Sequence, residues 1–252
     1  MKIIISGALG RMGKILAEIA KASDIAVACG VDVMLTEETA SFPLVNSYEQ
    51  ITQTADVMID FSAPASLDVL LRYALQVKIP LVLCATGYTQ KQLEQIKQAS
   101  AQIPVLQSAN MSFGVQVLAR LAAMAARVLG DDYDIEIVEK HHNKKVDSPS
   151  GTALLLSNAI SQERRELRPV FGRHGKVGER SLHEIGIHAV RGGTVTGEHE
   201  VGFYGNAEEI IITHRAESRT LFAKGALRGA EFVYKQPAGL YTLKDAVADL
   251  MQ

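Results

Sequence analysis

Met1-Lys2-Ile3-Ile4-Ile5-Ser6-Gly7-Ala8-Leu9-Gly10-Arg11-Met12-Gly13 opens the chain, and an amphipathic segment follows it from Gly13 to Lys21. A short isoleucine run, then three glycines spaced by two residues, reads as a strand feeding a helix through a tight turn. Such a turn leaves backbone N–H groups at the positive end of the helix, and a pyrophosphate is the ligand that suits them. Gly7 permits the turn, Gly10 lets a ligand approach the backbone, and Gly13 allows close packing of helix on strand. Leu9 stands where the commoner fingerprint has its middle glycine, so the motif depends on its context. Asp32 supplies it, 25 residues after Gly7 and at the end of a second apolar run from Ile25 to Val31. A carboxylate there accepts from both ribose hydroxyls. Val33 and Met34 follow it, with no base for a 2′-phosphate. Carboxylate repulsion therefore favours NADH, and Arg11 in the turn keeps NADPH use open.

Outward from the turn the pattern repeats. The runs Val57 to Phe61, Leu81 to Leu83 and Val105-Leu106 alternate with helix-length segments at Ala65 to Val77 and Thr89 to Ala101. Runs apolar on both faces, each followed by a crossover helix, predict an α/β fold with a doubly wound, Rossmann-like parallel sheet. Cys84-Ala85-Thr86-Gly87-Tyr88 and Ser108-Ala109-Asn110-Met111-Ser112 each follow such a run. In doubly wound sheets that position lines the nicotinamide half of the cleft, although either segment also reads as a plain turn. Beyond residue 130 the pattern changes. Ser181 to Arg191, Gly197 to Phe203 and Glu208 to His214 alternate like strands and are joined by glycine-containing turns, which predicts an antiparallel meander in a second domain. Val115 to Leu129 reads as the connecting helix, and Thr220 to Val233 as a helix returning to the first domain. Glu163 to Gly178, with five Arg or Lys and four Gly or Pro, reads as an exposed loop.

Composition narrows the function classes. The 252 residues are 47% hydrophobic and 21% charged with a net charge of −2, which argues against disorder, collagen and a disulfide scaffold. A chain this long can bury roughly three quarters of its extended surface, enough for two modest domains. There is no basic excess to track a phosphate backbone, so nucleic acid is not an expected partner. Cys29 and Cys84 lie inside apolar runs and read as small buried hydrophobes in a reducing compartment. No apolar run reaches the roughly 18 residues of a membrane span, because Val115 to Leu129 carries Gln116, Arg120 and Arg127. The expectation is a cytoplasmic protein with no membrane partner.

The densest chemistry is Glu139-Lys140-His141-His142-Asn143-Lys144-Lys145-Val146-Asp147-Ser148-Pro149-Ser150-Gly151-Thr152-Ala153. It follows a strand from Asp134 to Val138 and leads into a helix beginning near Gly151. Two histidines and two lysines within five residues, next to a Ser-Gly-Thr helix start, combine titratable donors with an anion site. A small ligand bearing carboxylates fits there. Lysines beside the histidines repel a cation rather than caging it, so no metal is expected. A Ser/His/Asp hydrolase is disfavoured by the lack of a G-x-S-x-G elbow.

These residues resemble the 4-hydroxy-tetrahydrodipicolinate reductase (dihydrodipicolinate reductase) family of bacterial lysine and diaminopimelate synthesis. The resemblance spans nearly the whole chain. It rests on Gly7 to Gly13, Ala109 to Val115, Glu139 to Ala153, Arg191-Gly192-Gly193 with Gly197-Glu198-His199, and His214-Arg215-Ala216 with Arg219 and Phe222 to Ala226. His141 through Ala153 is its most specific signature. By resemblance, His141 is the proton donor or acceptor and Lys145 the second proton donor. His142, Gly151 and Thr152 bind substrate, the last two by backbone amides that hold a carboxylate. Gly7, Ala8, Leu9, Gly10, Arg11, Met12, Asp32, Cys84, Ala85, Thr86, Ser108, Ala109, Asn110 and Met111 match the cofactor-binding stretches. The implied architecture is a dinucleotide-binding domain of residues 1–112 plus 219–252, and a mixed α+β substrate-binding and tetramerisation domain of residues 113–218, assembled as a homotetramer. Three stretches depart from the family pattern. Many members have Gly-Thr-Thr-Gly where this chain has Cys84 to Gly87, Phe is common at Met111, and the basic residue some place after the ribose acid is Val33.

The resemblance further implies a cyclic imine substrate with two carboxylates. It loses water and then accepts a hydride from nicotinamide at ring C4, with charge developing toward the ring nitrogen. A proton must then arrive, and a nearby cation lowers the barrier. Turnover requires the domains to close and bring the ring to about 3.5 Å from the nicotinamide. A sugar or polyol dehydrogenase of the glucose-fructose oxidoreductase type shares the N-terminal pattern but places Pro where His141 stands. A nucleotide-sensing module needs no proton donors in its second domain.

Overall fold

Ile3, Ile4 and Ile5 are all fully buried because β1 (Lys2–Ser6) lies inside a sheet covered on both faces. The computed structural model describes residues 1–35 and 40–250; residues 251–252, the end of the expected nucleotide domain, lie outside the described residues. The chain divides into two compact units, Met1–Ser112 with Arg219–Gln252, and Phe113–Ser218.

In the first unit, β1 is flanked by β2 (Ala26–Val31) and β4 (Val57–Asp60). Beyond them lie β3 (Leu44–Val45), β5 (Leu81–Leu83), β6 (Pro104–Gln107) and β12 (Gly239–Tyr241), in the order β12-β6-β5-β4-β1-β2-β3. Every pairing is parallel, as the two-sided apolar runs predict. Ile4, Met58, Leu81 and Leu83 form one core with Leu70 and Ala74 of α2 (Leu67–Val77) and Ile96 of α3 (Gln90–Ser100). α1 (Arg11–Ala22) and α6 (Thr220–Val233) pack on each other, and α6 also packs on β4, β5 and β6. Burying each isoleucine contributes about 1.5–3 kcal/mol, which is why β1 is wholly apolar between the exposed Lys2 and Ser6.

The second unit is built on β7 (Asp134–His141), three residues longer than the sequence suggests. With β8 (Arg168–Phe171), β9 (Glu184–Arg191), β10 (Glu198–Tyr204) and β11 (Glu209–Arg215) it forms a sheet of order β11-β10-β7-β9-β8. The expected meander is corrected here. β10 and β11 form an antiparallel pair, but β7 inserts between β9 and β10 and runs parallel to β9. Alternation reports which face a residue occupies and is silent about which strand is its neighbour. The Glu163 to Gly178 stretch is likewise more than a loop, since it carries edge strand β8, parallel to β9. Its Arg164 is buried and bonded to Glu166, Asp131 and the Gly130 carbonyl.

α4 (Phe113–Leu129) and α5 (Gly151–Glu163) pack together, and Leu118, Ala122 and Ala126 of α4 join Leu156 and Ile160 of α5 over Ile135, Ile137, Val201 and Phe203. By length and composition alone, the 20 residues Phe113–Asp132 are apolar enough to span a membrane, contrary to the reading of the sequence. The inward stripe of α4 is the core of this unit.

Candidate active site

In the first unit the carboxyl ends of successive strands are stitched side by side. Gly7 N–H donates to Val31 O at 2.9 Å, Phe61 N–H to Ser6 O at 2.9 Å, Cys84 N–H to Asp60 O at 3.0 Å and Ser108 N–H to Leu83 O at 3.2 Å. This ladder brings the glycine turn, Asp32 and the segments at Cys84 and Ser108 to one edge of one sheet, where doubly wound folds bind ligands. Gly7 has φ +74°, and a Cβ there would meet Ser62 N at 2.8 Å. A Cβ at Gly13 would collide with the Gly7 carbonyl oxygen and stand 2.7 Å from that of Ala8, so the close helix–strand contact is real.

The turn differs from the simplest expectation in how its amides are used. The N–H groups of Gly7 and Ala8 are taken by Val31 O and that of Gly10 by Gly7 O. Leu9 N–H donates to Asp32 Oδ2 at 2.9 Å. The amides of Arg11 and Met12, in the first turn of α1, have no intrahelical acceptor by helix geometry and are the natural anion donors. Asp32 Oδ1 accepts from Met34 N–H at 3.0 Å, and each oxygen keeps a lone pair for a hydroxyl. Val33 and Met34 are 72% and 74% exposed, and neither offers a positive charge.

Cys84 and Ala85 are buried and Thr86 is exposed, so the departure from the family's glycine-threonine pattern falls mainly on inward side chains. Burial pushes the Cys84 thiol well above its ordinary range, which makes it inert, and both cysteines are free. Ser108 Oγ donates to the Asn110 carbonyl at 2.8 Å, and Asn110 Oδ1 accepts from Ser112 N–H at 2.9 Å. Met111 is buried under α6, where Gly225 makes room for its carbonyl. Asp60 was not legible as a site residue. It is buried at the end of β4, accepts from Ser6 Oγ at 2.6 Å and Ser62 N–H at 3.0 Å, and burial raises its pKa.

In the second unit, strand alternation carries Ile135, Ile137, Glu139 and His141 to the same inward face of β7. Glu139 has no exposed surface. Its Oε2 meets His141 Nδ1 at 2.6 Å, its Oε1 accepts from Ser150 N–H at 2.9 Å, and Arg191 binds both oxygens at 2.7 and 2.8 Å. Burial alone would raise the Glu139 carboxyl, but Arg191, His141 and the Ser150 N–H together hold it below the usual range. Ser150 caps α5, its Oγ accepting from Ala153 N–H at 3.1 Å and meeting His199 Nε2 at 2.9 Å. The His199 ring stands edge-on to His141 at 5.1 Å. Burial pushes His199 down to about 4, and it lowers His141 against the pull of Glu139.

His142 and Lys145 are half-buried beside this group and Gly151 is exposed at the helix start. Lys145 Nζ pairs with Asp147 Oδ1 at 2.7 Å. Asp147 is 53% exposed, so that pair is worth under about 1 kcal/mol and yields readily to a better anion. A Cβ on Gly197 would come within 3.1 Å of His141 Nε2, so glycine there keeps the outer nitrogen clear. His141, His142, Lys145, Gly151 and Thr152, all singled out from sequence, thus belong to one short path from β7 to α5. Glu139, Arg191 and His199 carried no assigned role. The signal was a carboxylate at the inward phase of a strand. Among the described residues, no group of three His, Cys, Asp or Glu is placed to hold a metal ion.

Comparison with known proteins agrees across both units. Residues 1–111 match the model described as dihydrodipicolinate reductase, N-terminus, and residues 114–247 that of its C-terminus. The chain is 46% identical over 251 residues to the 4-hydroxy-tetrahydrodipicolinate reductase of Caldanaerobacter subterraneus, with 98% of each chain covered. It is 43% identical to that of Clostridium novyi, again over 98% of each. Among solved structures it resembles the dipicolinate-bound dihydrodipicolinate reductase from Paenisporosarcina sp. TG-14, with TM-score 0.81 at 22% identity over 97% of this chain and 98% of the other. The chain belongs to the dihydrodipicolinate reductase family.

Proposed function

We propose that this chain is an oxidoreductase that reduces 4-hydroxy-tetrahydrodipicolinate to tetrahydrodipicolinate in lysine and diaminopimelate biosynthesis. The observation that carries the reading is the buried Glu139–His141 pair hydrogen-bonded to the start of α5, in a chain whose two halves both match the family. The residues at the first unit's strand edge fit a nicotinamide dinucleotide. The amides of Arg11 and Met12 take the pyrophosphate, Asp32 takes the ribose, and Cys84 to Thr86 with Ser108 to Met111 flank the nicotinamide. When bound, the dihydronicotinamide supplies the hydride. Asp32 with no neighbouring base favours NADH over NADPH.

The substrate brings two carboxylates. The Gly151 and Thr152 amides hold one, at a helix start where the dipole favours negative charge. Lys145, released from Asp147, and His142 hold the other. A monocarboxylate then binds worse by about 1.5–3 kcal/mol, the worth of one set of charged hydrogen bonds. His141 delivers the proton that completes reduction from Nε2, its Nδ1 being engaged by Glu139, and Lys145 is the second donor. The assembly is a cytoplasmic homotetramer, which light scattering tests directly. The kinetic test is His141→Ala. It should lower kcat by roughly 10²–10⁴-fold, the range of a general acid, and leave NADH affinity unchanged. Equal losses in both would remove His141 from the chemistry.

A further inference from the structure

Glu139 joins three parts of the second unit through one carboxylate: His141 at the end of β7, the Ser150 N–H at the start of α5, and Arg191 at the end of β9. Resting on the reading of His141 as proton donor, we propose that Glu139 and Arg191 are a positioning pair. The carboxylate fixes His141 Nδ1 as its donor and leaves Nε2 for the substrate. The guanidinium cancels the carboxylate's charge, so that His141 can both take and release a proton.

The chemistry follows from the contacts. Glu139 is held ionised by its four donors, and an ionised carboxylate only accepts, so Nδ1 carries the hydrogen. A bare buried carboxylate against an imidazole would lock it as a permanent cation, useless as a proton donor. Arg191 prevents this with two bonds, one to each carboxylate oxygen, and it also donates to the Asp147 carbonyl at 2.7 Å. The charged and titratable groups facing His141 are Glu139 on β7, Arg191 on β9, Lys145 with Asp147 on the following loop, and His199 on β10, itself facing His214 on β11. Burial, with Lys145 and Arg191 adding to it against the pull of Glu139, leaves His141 lowered in the free protein. A dianionic substrate reverses that balance and loads the proton as it binds. The same Glu139 oxygen that binds Arg191 Nη2 holds the amide of the α5 cap, so donor and carboxylate cradle are fixed by one group.

The test uses the full-length protein with Glu139→Gln, Arg191→Met and Arg191→Lys. In wild type, ¹⁵N NMR should find neutral His141 in the Nδ1–H form; the Nε2–H form would overturn the proposal even if every variant failed to fold. Glu139→Gln should lower kcat at least about tenfold with the KM for NADH unchanged, and move the His141 limb of the pH profile toward acid. Arg191→Met should move the same limb toward alkali, and Arg191→Lys should return it most of the way. Opposite displacements from the two partners are a signature that general loosening does not produce. Unmoved limbs, or limbs moving the same way, refute the pair. Full turnover in His141→Gln refutes instead the donor reading beneath it, so the two failures are distinguishable.

Discussion

Acidification should unlock the second unit through His199 before its carboxylates begin to protonate. The ring is 4% exposed. Its Nε2 meets Ser150 Oγ, which already accepts the Ala153 N–H, and its Nδ1 has no hydrogen-bond partner among the described residues. A protonated His199 would bury a second N–H donor without an acceptor, close to His141 and Lys145. Its pKa is therefore about 4 in the folded chain against an ordinary 6.5. Between those values the unfolded chain binds the extra proton, so stability is full above pH 6.5 and falls as pH drops toward 4. At about 1.4 kcal/mol per pH unit, roughly 2 kcal/mol is gone by pH 5. Glu139, Glu136 and Glu198 are all held below the ordinary 4.5, so their loss comes later. Urea unfolding at pH 8 and pH 5, followed by circular dichroism because the chain has no tryptophan, should show this drop. His199→Gln keeps a hydrogen-bonding tip near Ser150 but cannot titrate, so its drop should be smaller by about 2 kcal/mol. Equal drops in the two proteins would show that burial of His199 does not cost the proton.

Two further outcomes concern the first unit. Gly13→Ala places a methyl against the Gly7 and Ala8 carbonyls. Displacing α1 to admit it should cost about 1–3 kcal/mol and weaken NADH binding by more than about tenfold, read by thermal unfolding and calorimetry. Asp32→Ser replaces the charged acceptor proposed for the ribose with a shorter neutral hydroxyl and removes the charge that would face a 2′-phosphate. The ratio of kcat/KM for NADH over NADPH should fall by at least about tenfold, the worth of one charged hydrogen bond, and an unchanged ratio would deny Asp32 its role in cofactor choice.

The parallel sheet was legible because its strands are buried on both faces. Ile3, Ile4 and Ile5 carry no alternation, and only a sheet sandwiched by helices uses such a run. The α3 boundary was legible from Thr89, whose side chain and that of Gln92 form a reciprocal cap. β8 was not. It is an edge strand with Arg168, Pro169 and Phe171 all exposed, so it has no inward stripe to betray it, and Pro169 argues against a strand on local grounds. β12 is three residues long and leaves no periodicity to read. The false meander has the same origin. One parallel partner of β9 is β7, which precedes it by some fifty residues, and pairing over such distance leaves no local trace.

The candidate site divides along the same line. His141, Lys145, Gly151 and Thr152 were visible because they are crowded into one segment whose residue types are unusual together. Arg191 was singled out only within the Arg191-Gly192-Gly193 stretch and its role was not legible, because it lies 52 residues from Glu139. Yet half of that pair is written in the strand. β7 alternates inward as Ile135, Ile137, Glu139, His141, and an ionised carboxylate at an inward phase costs several kcal/mol unless a cation and further donors meet it. The break in hydrophobicity at Glu139 therefore demands a distant partner on energetic grounds alone. A polar residue that violates its strand's inward pattern is the place where a sequence announces a long-range contact, and here that contact stands directly behind the proposed proton donor.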